Sequence, residues 1–130
     1  MQDRPNVDEL LEAVAGFLHG DVMANTTGRI NFHARVAGNV IEMLRRELSL
    51  EEGHLAHEWA GLDGLLGGVP RPASLSEQRA ALTARNDDLA SRIRAGEFDD
   101  GAPRSALLAH LRATMRDKLA VSNPGLVAQG

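Results

Sequence analysis

The side chains best able to do chemistry here are histidines and arginines, and they fall in three groups at helical spacing. His54-Leu55-Ala56-His57-Glu58 holds two imidazoles and a carboxylate. His54 and Glu58 are four apart and share a helix face, and His57 is three from His54. A zinc-hydrolase helix orders its groups His-Glu-x-x-His or His-x-x-Glu-His, and this segment matches neither. A closed site also needs ligands from elsewhere. His19, His33 and His110 stand at no spacing that supplies them. The segment reads as a solvated helix face, with no metal and no cofactor.

Arg29, His33 and Glu47 form the second group. Counting 100° per residue from Ile30, the apolar positions Phe32, Ala34, Val36, Ala37, Val40, Ile41, Met43, Leu44 and Leu48 spread over about 200°. Arg29, His33 and Glu47 fall inside that arc, at about 260°, 300° and 260°. An arc so wide predicts burial on more than one side, and polar groups within it need partners. Arg29 and Glu47 lie about 27 Å apart along one helix, so they cannot pair with each other. Their partners must come from a neighbouring helix, the bundle end or another subunit. These three are the leading candidates for a ligand or interface site. An ion pair that fixes helix packing is favoured over catalysis.

The third group, Arg35, Asn39, Glu42 and Arg46, is the polar stripe of the same helix. Its i,i+3 and i,i+4 relations suit an exposed face. Arg35, Asn39 and Arg46 could also present donors to an anionic ligand. No serine sits in a Gly-x-Ser-x-Gly turn, and Gly67-Gly68 lacks the Lys and Ser/Thr of a phosphate loop. No catalytic residue is assigned.

Five helices must position these groups. Asn6 caps the first, with Glu9 completing a capping box, and Gly20 or Asn25 ends it. The second runs from Thr26 or Thr27 to Leu48 and is the central helix. Ser49, followed by Glu52, opens a third that carries Leu55, Trp59, Leu62 and Leu66; Gly61 and Gly64 weaken it. The loop Gly67 to Ala73 follows. Ser74 and Glu77 start the fourth helix, which Gly96 ends. Pro103 lies in the first turn of the fifth, and Asn123-Pro124 stops it. The expectation is an all-α, single-domain, up-and-down bundle over residues 1–124, with a flexible tail over 125–130.

The chain has 130 residues, net charge −4 and no cysteine. That length can bury a core without disulfides or metal, and it excludes thiol chemistry. No basic face dominates, and the aromatics are only Phe17, Phe32, Trp59 and Phe98, which argues against nucleic acid as a partner. The start Met1-Gln2-Asp3-Arg4-Pro5 does not read as a signal peptide, and no apolar run suits a membrane span. A cytoplasmic protein is expected.

Several segments carry a family resemblance: Gln2-Asp3-Arg4-Pro5, Glu9 to Val14, Gly28-Arg29, Phe32 to Asn39, Arg45 to Leu48, Leu107 to Leu111 and Lys118 to Pro124. Together they make the chain resemble a family of small bacterial proteins of unknown function. Genes of that family often lie beside acyl-CoA dehydrogenases and kinases resembling aminoglycoside phosphotransferases. The resemblance implies an accessory role in acyl-CoA or carboxylic-acid breakdown and supplies no catalytic residues. The resulting expectation is a non-enzymatic interaction module, a homodimer or the partner of a metabolic enzyme. A helical domain that binds a small anionic ligand or an acyl-CoA is the alternative.

Overall fold

The computed structural model describes residues 3–129 and is all-α, with no strand among them. Met1, Gln2 and Gly130, which end the start and tail segments read above, lie outside the described residues. The elements are α1 (Val7–Phe17), a π-helical segment (Leu18–Val22), α2 (Gly28–Leu66), α3 (Leu75–Arg94), α4 (Gly101–Ser122) and the short α5 (Pro124–Val127). No helix is long and apolar enough to cross a membrane, among the described residues.

The local signals act as their chemistry requires. Asn6 Oδ1 accepts from Glu9 N at 3.0 Å, and Glu9 Oε2 accepts from Asn6 N at 2.9 Å, a complete capping box. Ser74 Oγ accepts from Glu77 N at 3.2 Å to start α3. Pro103 lies in the first turn of α4. Gly96 takes a φ of +86° just beyond α3, where a left-handed residue closes the helix.

The expected break at Ser49 is corrected. The second and third helices are one helix of 39 residues, α2. Ser49 Oγ bonds back to Arg46 O at 3.1 Å, the behaviour of a serine inside a helix. A Ser-x-x-Glu sequence caps a helix only if the chain turns there. Between Asn39 and Glu52 no glycine or proline makes it turn. The segment after Asn123 also carries one helical turn, α5.

The chain divides into two compact units, Met1–Leu50 and Glu51–Gly130, and α2 runs from the first into the second. In the first unit, α1 lies antiparallel to the opening half of α2. Asp8 and Arg45 pair at 2.7 Å at one end. Near the other end, Leu18 and Val22 line one groove with Ile30, Ala34 and Ala37. Asn31 Nδ2 donates to Met23 O at 2.7 Å and Thr26 O at 3.0 Å, which closes the short connection. The helices meet through small residues: Ala15, Ala34 and Gly38 are buried.

The second unit is built differently. The closing half of α2 packs with α3 and α4 around Trp59, Leu62, Leu82, Leu89, Phe98 and Leu107. Leu62 is 0% exposed. Trp59 Nε1 donates to Val69 O at 3.2 Å, and the Arg85 guanidinium lies 4.7 Å from the Trp59 ring centre. Arg85 also reaches Asp63 at 2.9 Å, and Gln78 Nε2 donates to Pro72 O at 2.8 Å. These contacts tie the Gly67–Ala73 loop onto the core.

Candidate functional site

In the first unit the wide apolar arc of α2 is mostly not buried, which corrects the expectation for residues 26–48. Ile30 is 64% exposed and Leu48 59%, and Phe32, Val36, Val40 and Leu44 are also exposed. The reason is geometric. Among the described residues only α1 and the π-helical segment pack on this half of α2, and they cover the side that carries Ala34, Gly38 and Ile41. The rest of the arc meets no element of the unit. Val7, Leu10, Val14 and Phe17 of α1 are exposed in the same way.

Two stripes with a seven-residue repeat run along these exposed faces. On α1 the steps are three, four and three: Val7, Leu10, Val14, Phe17. On α2 the same spacing reads Ile30, His33, Ala37, Val40, Leu44, Glu47. Both stripes stand on the same rotational side of the α1–α2 contact. In an antiparallel pair that places them on one face of the hairpin.

Arg29 and His33 come together on this face. Arg29 Nε donates to His33 Nε2 at 3.4 Å, and both line the groove of about 700 Å³ between the π-helical segment and α2. No described carboxylate pairs with Arg29. Glu47 stands at the far end of the stripe, exposed. Arg35 and Asn39 are exposed on the polar side, whereas Arg46 is half-buried. Glu42 pairs with Arg45 at 3.3 Å and so serves the hairpin. The structure therefore joins Arg29 to His33 and leaves Glu47 apart from them within the chain.

The second unit holds further polar groups, on the segment expected to be a solvated face. His57 Nδ1 lies 2.6 Å from Asp117 Oδ2 on α4, and His54 Nε2 lies 3.9 Å from Asp117 Oδ1. Glu58 accepts from Asn86 Nδ2 at 2.8 Å. His57 and Glu58 also line a cavity of about 390 Å³ whose walls include Gly61, Gly64, Ala109, His110 and Thr114. His110 is 9% exposed. Burial pushes its imidazole below the ordinary 6.5, against the pull of the Glu58 carboxylate. A neutral ring in that place can accept or donate one hydrogen bond. No set of three His, Cys, Asp or Glu able to hold a metal ion occurs among the described residues.

Gly61 makes this arrangement possible. A Cβ there would lie 2.2 Å from His110 Nδ1, so only glycine lets the ring lie against α2. Gly38 has the same relation to the His19 ring in the first unit, at 2.5 Å. The sequence signal was a glycine inside a strong helical pattern, which marks a close approach as readily as a weak point. His110 itself carried no such signal.

Fold and geometry thus define a helical protein with a tightly packed unit and an open-faced hairpin. The chain belongs to the family described as a domain of unknown function, DUF6285, whose model matches residues 24–126. No curated protein and no solved structure matches it.

Proposed function

We propose that the protein is a non-enzymatic helical interaction module that works as a homodimer through the open face of its first unit. One observation carries this reading: both helices of the hairpin display a seven-residue repeat on the same face, apolar on α1 and largely apolar on α2 with His33 and Glu47 toward its ends, and no described element of the unit covers it. Eight large side chains take part: Val7, Leu10, Val14, Phe17, Ile30, Val40, Leu44 and Leu48, each roughly half exposed. At order 80 Å² apiece they expose about 600 Å². A monomer's largest apolar patch is about 300–600 Å², and a standard interface takes about 800 Å² per partner. The small and polar residues between the eight supply the difference. A second copy offers the same repeat and completes a four-helix arrangement.

Sedimentation at micromolar concentration tests this. The native chain is expected to run as a dimer. Leu10→Glu combined with Leu44→Glu should give a monomer with unchanged helical circular dichroism. A native chain that stays monomeric up to 100-fold higher concentration sinks the proposal.

A second reading, an anionic ligand with an apolar tail in the groove, is favoured by Arg29, whose guanidinium has no described carboxylate partner. Such a ligand would include a carboxylate-bearing acyl chain or an acyl-CoA. Thermal-shift titration with octanoate and octanoyl-CoA separates the two readings, because stabilisation of the monomeric variant would belong to the groove alone. An accessory role beside acyl-CoA-processing enzymes, in a bacterial cytoplasm, fits either reading. Recovery of a specific acyl-CoA dehydrogenase with the native protein, lost in the double variant, would support that role.

A further inference from the structure

Resting on the homodimer reading, we infer that the second copy docks antiparallel, α2 against α2, about a two-fold axis at Val40, so that Glu47 of each copy meets the Arg29–His33 pair of the other. The α2 stripe is self-complementary. In an isologous contact, residue i meets j and j meets i. Along α2, His33 and Glu47 lie equally far from Val40, seven residues to either side. The positive end of the stripe and its negative end exchange under that axis. A parallel α2 pair would set Glu47 on Glu47 and Arg29 on Arg29 inside an apolar seam, which is unfavourable.

The first helix obeys the same axis independently. The Asp8–Arg45 pair fixes the level of α1 against α2. Counting about five residues inward from that pair along each helix, Val40 stands level with Ala13. The α1 stripe is itself symmetric about nearly that point: Leu10 and Val14 are its inner pair, Val7 and Phe17 its outer pair. The axis that sets His33 against Glu47 therefore brings Leu10 to within about 3 Å of the level of Val14, and Val7 to within about 3 Å of the level of Phe17.

The groove supplies a third agreement. Its α2 wall comprises Arg29, Ile30, His33, Ala34 and Ala37. Reflected about Val40, Leu48 falls level with residue 32, in the middle of that wall. Leu48 is 59% exposed and sits on the α1 side of the stripe. In this register the Leu48 side chain of each copy enters the groove of the other, and Arg29, which has no described carboxylate partner within the chain, gains one at the rim.

The chain has no cysteine, so an introduced thiol is the sole reactive one. Val40→Cys is expected to cross-link into a covalent dimer with a short bismaleimide. His33→Cys alone and Glu47→Cys alone should cross-link at least tenfold more slowly, because each thiol's twin lies about 21 Å away along the axis. An equimolar mixture of those two variants should link rapidly. Glu47→Lys is expected to weaken the dimer at least tenfold, and adding Arg29→Glu to it should restore most of the loss. A dimer in sedimentation in which Val40→Cys does not link, or His33→Cys links to itself, overturns this register and leaves the interaction reading standing. A chain that is monomeric throughout overturns both.

Discussion

The two units use one helix, α2, in opposite ways. Up to Leu50 it packs only the single arm of α1 and the π-helical segment, through Ala34 and Gly38, and holds its large apolar side chains outward. From Glu51 it packs two partners and buries Trp59 and Leu62. Both halves use a glycine to admit a histidine ring, Gly38 for His19 and Gly61 for His110. Yet His19 is exposed and His110 is buried. The difference teaches that an amphipathic pattern fixes which residues want burial, while the number of packed neighbours decides whether they get it.

The largest expected effect lies in the second unit's core. Leu62→Ala should destabilise the protein by about 2–5 kcal/mol in urea unfolding, since a fully buried leucine leaves a cavity. Leu44→Ala, on the open face, should change monomer stability by less than about 1 kcal/mol and should act instead on association. Equal losses for the two would remove the distinction between a packed unit and an open one.

Next come the glycines. Gly61→Ala should cost about 1–3 kcal/mol, because the new methyl meets a buried ring that must shift to admit it. Gly38→Ala meets a ring at a similar distance, but His19 is exposed and can swing away. Alanine's helix propensity then offsets the strain, and the net change should lie within about 1 kcal/mol. Thermal denaturation of the pair checks this, and a Gly61→Ala protein as stable as the native one would refute the close contact.

Smaller effects follow at the caps. Asn6→Ala and Ser74→Ala should each cost about 1 kcal/mol, one in each unit. Hydrogen exchange read residue by residue should show the first loosening α1 and the second loosening the start of α3.

The smallest effects concern pH, and they fall in different windows. His110 has a folded pKa below its unfolded 6.5, so the unfolded chain binds more protons between the two values. Stability in the second unit should therefore fall as pH drops below 6.5, and His110→Gln should flatten that fall. Asp8 is held below its ordinary 3.8 by its hydrogen bond to Arg45, and Glu9 below 4.5 by its hydrogen bonds from Arg4 and the Asn6 backbone. Their contribution to the first unit is present above those ordinary values and is lost as pH falls from them through the lower folded ones. Exchange rates measured from pH 7 to 4 should show the second unit loosening first.

By itself the sequence determined the helices and most of their ends. Asn6, Ser74, Gly96, Pro103 and Asn123 act locally, through hydrogen bonds and backbone angles within a turn or so, and local chemistry is legible in order along the chain. It also determined that Arg29, His33 and Glu47 share an apolar arc, because helical periodicity alone places them. What it could not decide was the other side of each contact. Ser49 carried a capping pattern, but the continuity of α2 depended on whether the chain turned there. The His54–His57–Glu58 segment looked solvated because its partners, Asp117 and Asn86, lie 60 and 28 residues further on. Only the tertiary structure supplies such pairings, since they depend on which helix faces meet in space. The same holds for the arc of residues 26–48: periodicity marked it as apolar, and only the packing of the hairpin left it open.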